Sequence, residues 1–146
     1  SWITPTPAAI QDYEALIRQR VTRVMPCDLH LPEPLNNKLL IGAYDVLVSN
    51  LCAEAVAPDL DTWNAYLKKF AALLKPNGRL ILTAVKQSHS YSVGSHVFPV
   101  LPLSDEDVAY GLNQAGFAQM TPMNHAPAND PDHPYEGLIF AIARKV

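Results

Sequence analysis

Two stretches decide the fold predicted for this chain: Tyr44-Asp-Val-Leu-Val-Ser-Asn50 and Arg79-Leu-Ile-Leu-Thr-Ala-Val85. Both are apolar along most of their length, as strands are when a sheet is covered on both faces. A helical pattern lies between them and ends at the breaker Lys75-Pro-Asn-Gly78. This order predicts a βαβ unit in a parallel sheet. Because open sheets bind ligands at the carboxyl ends of their strands, we expect a site around Ser49-Asn50 and after Val85.

The composition favours one compact domain covering residues 1–146. Half of the residues are apolar, 17% are charged and the net charge is −3 without a basic cluster, so nucleic-acid binding has little support. No apolar run approaches the roughly 18 residues that span a bilayer. We therefore expect a cytoplasmic protein without a membrane partner or an export signal, in which Cys27 and Cys52 are reduced thiols. A disulfide between the two is the alternative if their strand ends are adjacent.

Three helices are predicted from capping and periodicity. The first starts at Thr6-Pro7, and Pro26 either closes it or opens a short strand over Val24–Leu29. The second starts at Asp59 or Asp61, and Asn77-Gly78 stops it. The third starts at the Ser104–Asp107 capping box and ends at Gly116. Apolar positions at helical spacing are Ile10, Tyr13, Ile17, Val21 and Val24 in the first helix, and Trp63, Tyr66, Leu67, Phe70, Leu73 and Leu74 in the second.

The remaining segments predict two loops and two further strands. Residues 86–102 are predicted to be a loop or lid, and the strands cover residues 117–123 and 137–146. The loop between these strands, residues 124–136, is long for a hairpin connection, and such loops are usually functional or mobile. His89 and His96 flank the predicted lid, and His125 and His133 lie in the 124–136 loop with Asp130 and Asp132. Their spacing matches no zinc pattern, so we predict no metal site.

Five segments in order resemble one enzyme family: residues 49–60, 75–78, 90–94, 98–103 and 136–146. Together they resemble the nicotinamide, phenylethanolamine and indolethylamine N-methyltransferases, which are class I S-adenosylmethionine-dependent methyltransferases. The resemblance covers nearly the whole chain. It implies an α/β, Rossmann-like fold with a mostly parallel sheet and an antiparallel carboxyl-terminal hairpin.

The resemblance also implies a set of cofactor-binding residues. Asp28 matches the family's Asp that accepts a hydrogen bond from the adenine amino group, although it could instead cap a turn before His30. Tyr91 matches an aromatic residue in a lid over cofactor and substrate, although a lone Tyr could simply pack on the surface. The implied cofactor-binding positions are Cys27, Asp28, Leu29, Asn50, Leu51, Cys52 and Tyr91, with Asn50 to Cys52 bordering the methionine end of S-adenosylmethionine or of the product S-adenosylhomocysteine.

The acceptor site implied by the resemblance departs from the family. Ala84 and Val100 stand where relatives place polar side chains that hold the substrate, so a more hydrophobic acceptor than nicotinamide is expected. Asp132 is either a substrate-binding acid or a plain turn residue. The implied substrate-binding positions are Ala84, Tyr91, Val100 and Asp132, and no residue is predicted to act as a general base.

Two parts of the family's cofactor site are missing from these residues. There is no glycine-rich loop and no acid for the ribose, and aligned on the family the chain begins after the second strand. Those two strands lie between the third and fourth strands of the family's sheet, and their loss would leave backbone groups unpaired. The chain is therefore the carboxyl-terminal portion of a larger protein, or it pairs Val24–Leu29 elsewhere, or it borrows strands from a partner; we favour the first.

The resemblance implies N-methylation of a small amine or heteroaromatic nitrogen, a reaction that depends on closeness and alignment more than on proton transfer. This chain would carry part of the cofactor site and most of the acceptor site. The alternative, from a different class, is a non-catalytic methyltransferase-like module that serves as a structural or regulatory partner.

Overall fold

The computed structural model describes residues 6–118, 123–125 and 135–146. The helices are α1 (Pro7–Arg20), α2 (Ala53–Val56), α3 (Leu60–Leu73) and α4 (Asp105–Gln114), with a short 3-10 helix over Lys38–Leu40. The strands are β1 (Tyr44–Asn50), β2 (Leu74–Lys86), β3 (Ser90–Val93), β4 (His96–Pro99), β5 (Phe117–Ala118), β6 (Met123–His125) and β7 (Gly137–Lys145). None of the helices in these ranges is long and apolar enough to cross a membrane.

The main sheet has the order β1-β2-β7-β5, and β6 also pairs with β7. Strands β1 and β2 are parallel, with Leu47 opposite Leu80, so the predicted βαβ unit is confirmed. Strand β7 runs antiparallel to β2, β5 and β6, which confirms the predicted antiparallel carboxyl-terminal strands. Among the described strands, β1 pairs with β2 alone and forms one edge of the sheet.

Strand β2 begins earlier than the sequence predicts. It starts at Leu74, directly after α3, so Lys75–Gly78 lies within the strand and does not precede it. The pairing with β1 jumps between Tyr44 and Val46, and Asn77 adopts a φ of 64°. The Pro-Asn-Gly turn is thus accommodated as an irregularity in the ladder, which is how an extra turn residue enters a strand.

The core lies between the sheet and the helices α3 and α4. The predicted stripe of α3 is buried, including Trp63 and Leu67, and continues into Leu74 at the start of β2. Helix α4 approaches α3 closely because Gly111 has no side chain: a Cβ there would lie 2.5 Å from Trp63 Cζ3. The Ser104–Asp107 capping box is present and starts α4, as predicted.

Helix α1 differs from α3 in burial. Thr6 Oγ1 accepts a hydrogen bond from the Ala9 N–H at 3.2 Å, which confirms the predicted start of the helix. No side chain of α1 is buried, and its apolar residues face solvent. The alternative strand over Val24–Leu29 is wrong, because residues 21–28 have no regular secondary structure. Pro26 lacks a backbone N–H, which disfavours such a strand.

The predicted lid over residues 86–102 contains a two-stranded hairpin formed by β3 and β4. The rings of Tyr91 and Phe98 stack across it with centroids 5.3 Å apart. Its base is attached to the rest of the domain, because the Leu101 N–H donates to the Glu54 carbonyl at 3.0 Å and the Gln87 N–H donates to the Leu103 carbonyl at 3.0 Å. The predicted loop or lid therefore contains a regular hairpin with a hydrogen-bonded base.

Candidate cofactor and acceptor site

The segment Cys27–Leu29 forms a turn that is held at both sides. Leu29 is buried in the core. The Asp28 N–H donates to the Pro34 carbonyl at 2.9 Å, and the Asp28 carbonyl accepts from the Leu31 N–H at 3.2 Å. The Asp28 side chain stays 53% exposed. The backbone of this segment is thus anchored while its carboxylate remains open to a ligand.

One oxygen of Asp28 is occupied and the other is open. Oδ1 accepts from the His30 N–H at 2.9 Å and lies 3.1 Å from His30 Nδ1. The His30 backbone N–H is the largest cause that lowers the pKa of Asp28, followed by the His30 side chain, so the group is a carboxylate at neutral pH. Oδ2 has no hydrogen-bond partner among the described residues. Asp28 does cap the turn before His30, and Oδ2 is still available to accept from an exocyclic amine.

The loop after β1 turns sharply and presents its side chains to solvent. Leu51 has a φ of 49°, an uncommon conformation for a residue with a Cβ, and its N–H donates to the Thr83 carbonyl at 2.9 Å. The side chains of Asn50, Leu51 and Cys52 are exposed. A backbone turned in this way at the carboxyl end of a parallel strand is where such sheets hold ligands.

Each of the two cofactor segments predicted from sequence carries a thiol with a raised pKa. Partial burial raises the pKa of Cys27, with smaller contributions from Cys52 and then Asp28. Burial also raises the pKa of Cys52, followed by the effect of Glu54. Both cysteines are free thiols, and raised pKa values keep them protonated at neutral pH.

Glu54 is a candidate site residue that the sequence reasoning missed. Its side chain is 1% exposed, at the start of α2. Oε1 accepts from the Val85 N–H at 3.2 Å, while Oε2 is buried without a partner among the described residues. Burial raises the pKa of Glu54 against the opposing hydrogen bonds from its own N–H and that of Val85. The signal in the sequence was a single acid inside the apolar run Leu51-Cys-Ala-Glu-Ala-Val56.

The predicted acceptor positions divide into three groups. Ala84 is completely buried in the core, and Val100 is nearly so, with its N–H donating to the His89 carbonyl at 3.0 Å. Both adjoin residues bonded to Glu54, since the Val85 N–H and the Leu101 N–H are its partners. Tyr91 lies on the hairpin and is partly exposed. Asp132 lies outside the described residues, so its role stays a prediction.

A partly exposed ion pair ties the end of β2 to the start of α4. Lys86 Nζ lies 2.6 Å from Asp105 Oδ2. The hydrogen bond to Asp105 is the main cause that raises the pKa of Lys86, so this amine stays charged. The Lys86 carbonyl accepts from the Glu136 N–H at 3.0 Å. This connection places the end of β2, the hairpin base and the start of β7 in one rigid corner. In the described part of the chain no three His, Cys, Asp or Glu side chains converge to hold a metal.

Comparison with known proteins agrees with this arrangement. The model of the NNMT/PNMT/TEMT family matches residues 4–146. The phenylethanolamine N-methyltransferase of Mus musculus is 38% identical over 143 residues, which cover 93% of this chain and 48% of that protein. The indolethylamine N-methyltransferase of Oryctolagus cuniculus is 33% identical over 139 residues, covering 92% of this chain and 51% of that protein. The chain thus spans about half the length of these relatives.

Solved structures share the fold. A methyltransferase of Methanosarcina mazei superposes with a TM-score of 0.61 at 14% identity, covering 97% of this chain and 79% of that one. The 1,6-didemethyltoxoflavin-N1-methyltransferase of Burkholderia thailandensis was solved with S-adenosylhomocysteine. It superposes with a TM-score of 0.60 at 18% identity, covering 98% of this chain and 58% of that one. These likenesses confirm the α/β class I methyltransferase fold. Matched by the family model from residue 4 to residue 146 and by relatives above 30% identity, this chain belongs to the NNMT/PNMT/TEMT family.

Proposed function

We propose that this chain is the acceptor-binding half of an S-adenosylmethionine-dependent N-methyltransferase that acts on a small aryl-alkylamine. The observation that carries the proposal is the buried carboxylate of Glu54, whose Oε2 has no partner in the described part of the chain. A buried unpaired oxygen costs free energy unless a ligand meets it. It stands beside the end of β2 and the hairpin base, where this fold binds small molecules.

The residues around the carboxyl edge suit the cofactor. Asp28 Oδ2 is an open acceptor for the adenine amino group, and the exposed side chains of Asn50 and Cys52 border the opposite end of the site. When bound, S-adenosylmethionine supplies a methyl group whose bond to sulfur breaks as the acceptor nitrogen's lone pair forms the new N–C bond. The chain itself contributes orientation and the exclusion of water, which are the requirements of such a displacement.

The surroundings of Glu54 suit an amine with an apolar body. Oε2 can accept a hydrogen bond from an amine N–H, while Ala84 and Val100 provide no polar partner for an amide such as nicotinamide. The stacked rings of Tyr91 and Phe98 lie on the hairpin, whose base is bonded to the backbone carbonyl of Glu54 through the Leu101 N–H. Phenylethanolamine and indolethylamine, which name the acceptors of the two relatives above, have this chemistry.

The edge of β1 opposite β2, which pairs with no described strand, is the proposed docking surface for the part of the cofactor site that this chain does not supply. On this strand Val48 is 64% exposed although its segment reads as a buried strand. The apolar residues of α1 are exposed as well. Since the chain spans about half of its relatives, we infer that a polypeptide segment bearing the glycine-rich loop and the ribose acid covers these surfaces. Pairing along β1 would satisfy its free backbone groups.

Calorimetric titration with S-adenosylhomocysteine tests the cofactor role. Two preparations are titrated: the chain alone, and the chain mixed with the half of the mouse relative that carries the glycine-rich loop. We expect micromolar binding in the preparation that contains the whole cofactor site. In that preparation Asp28→Asn should weaken binding about tenfold or more, because a hydrogen bond to a charged group is lost. The control is Asp61→Asn, an exposed carboxylate on α3. An Asp28→Asn variant with unchanged affinity would contradict the adenine role.

Methyl transfer to phenylethanolamine, indolethylamine and nicotinamide tests the acceptor role. We expect turnover of the two arylethylamines and little or none of nicotinamide. Glu54→Gln should lower kcat/KM for the amines about tenfold while the affinity for S-adenosylhomocysteine stays unchanged. Cofactor binding without transfer to any amine would favour the non-catalytic module instead.

A further inference from the structure

Lys69 on α3 reaches across the domain to the segment that carries Asp28. Its Nζ donates to the Leu29 carbonyl at 2.6 Å, a bond between residues 40 positions apart in a partly buried place. A charged donor forms one of the stronger hydrogen bonds in proteins. The bond attaches the turn at residues 27–31 to the rigid helix of the βαβ unit, and nothing in the local sequence of the turn could supply it.

Tyr66 forms the second part of the same attachment. Lys69 Nζ lies 5.3 Å from the centroid of the Tyr66 ring, and the His30 ring meets that ring edge-on at 6.0 Å. Tyr66 is buried in the core, so it does not move with the turn. His30 is the residue whose N–H and Nδ1 face Asp28 Oδ1. A chain of contacts therefore runs from the core through Tyr66 and His30 to the carboxylate.

We propose that Lys69 is a positioning residue for the cofactor: with Tyr66 and His30 it holds Asp28 ready to accept the adenine amino group. The inference rests on the proposed function, because it takes Asp28 as the adenine ligand. Lys69 forms no hydrogen bond with the carboxylate, and its charge is the smallest of the causes that lower the pKa of Asp28. Its main contribution is therefore to hold the turn in one conformation before the ligand arrives. Binding then costs less ordering of the loop.

Amide hydrogen exchange measures the attachment without a ligand. The Asp28 N–H donates to the Pro34 carbonyl and the Leu31 N–H donates to the Asp28 carbonyl, so these two amides report the opening of the turn. Lys69→Met keeps the aliphatic stem over Tyr66 and removes the donor. We expect exchange of these amides to rise about tenfold in Lys69→Met and to stay unchanged in Lys68→Met, its exposed neighbour on the same helix. Equal exchange in the two variants would overturn the inference.

Ligand selectivity separates positioning from general stability. The affinities of the preparation that binds in the titration above are measured for S-adenosylhomocysteine and for S-inosylhomocysteine. The second compound carries an oxygen in place of the adenine amino group. The unaltered protein should prefer the amino compound about tenfold, and Lys69→Met should shrink that preference to about twofold with little change for the inosine compound. Lys68→Met should keep the full preference.

The outcomes distinguish this inference from the function on which it depends. If Lys69→Met weakens both compounds equally, Lys69 supports the fold only, and the positioning role is wrong. If Lys69→Met retains the full tenfold preference, the positioning role is likewise wrong while Asp28 keeps its role. If the unaltered protein binds neither compound or shows no preference, the adenine role of Asp28 fails, and the inference fails with it.

Discussion

Helices α1 and α3 have the same length, 14 residues, and the same kind of start, yet only one of them joins the core. Thr6 caps α1, and Asp59 caps α3 with Oδ1 accepting from the Thr62 N–H at 2.7 Å. Six side chains of α3 are buried and none of α1. Both have apolar residues at helical spacing. The difference teaches that capping and periodicity decide where a helix forms, whereas burial depends on a second surface.

The same contrast separates the two edges of β1. On one side β1 is paired with β2, which leads into the core, and on the other side no described strand pairs with it. Val46 and Val48 of β1 and the apolar residues of α1 are exposed. Helix α3 has its apolar side chains covered by the core, whereas α1 has apolar side chains at helical spacing that no described part of the chain covers.

The largest effect should come from removing a buried aromatic residue. Trp63→Ala should lower the free energy of unfolding by about 3–5 kcal/mol, because the side chain is fully buried on α3. Tyr13→Ala, on the exposed face of α1, should change it by less than about 0.5 kcal/mol. Urea denaturation followed by circular dichroism measures both. A large cost for Tyr13→Ala in the chain alone would break the comparison.

The contact between α4 and α3 should be the next most sensitive place. In Gly111→Ala the new Cβ would lie 2.5 Å from Asn64 Oδ1 and from Trp63 Cζ3, so the helices must separate. We expect a loss of about 1–3 kcal/mol in thermal or urea unfolding, which is typical of overpacking. Asn113→Ala, exposed on the same helix, is the control and should be close to neutral. An unaltered stability of Gly111→Ala would show that α4 is loosely attached.

Glu54 should make the free energy of unfolding depend on pH. Because burial raises its pKa above the ordinary 4.5, the native state binds this proton more tightly than the unfolded state does. As the pH falls from 7 toward 4.5, protonation of Glu54 therefore stabilises the fold, and the cost of the buried charge is present only at higher pH. Relative to Glu54→Gln, the unaltered chain should gain stability over this range. A pH-independent difference in urea unfolding would contradict it.

The smallest effect concerns the two helix caps. Ser104→Ala removes a reciprocal capping box from a helix that packs in the core and should cost about 1 kcal/mol. Thr6→Ala removes the cap of a helix that buries nothing, so global unfolding should change by less than about 0.5 kcal/mol. The helical circular dichroism signal of Thr6→Ala should fall instead. Equal costs for the two variants would mean that α1 is packed after all.

Much of the fold was predictable because its signals are local. The caps Thr6, Asp59 and Ser104, and the stripe of α3 from Trp63 onward, depend on neighbours within a turn or two of helix. Two features were misjudged or missed. The Lys75–Gly78 turn was absorbed into β2 by strand pairing, and the short helix α2 begins in the loop after β1. Pairing between strands overrides a local turn preference.

The candidate site was predictable only in part. The resemblance of short motifs pointed to Asp28 and to the loop at residues 50–52, and their joint role in one cofactor site stays a prediction. The sequence analysis passed over Glu54 and Lys69, because a lone acid in an apolar run and a lysine on a helix are ordinary in a sequence. Their partners are the Val85 N–H and the Leu29 carbonyl, 31 and 40 positions away.

By itself the sequence determined the three long helices, the βαβ unit, the α/β class and the family, because these depend on periodicity, capping and the order of short motifs. Tertiary structure alone decided that α3 is interior and α1 is not, that a buried oxygen of Glu54 has no partner among the described residues, and that Lys69 holds the turn of Asp28. The physical reason is that burial and long-range hydrogen bonds depend on which distant segments become neighbours, and that is settled by the sheet.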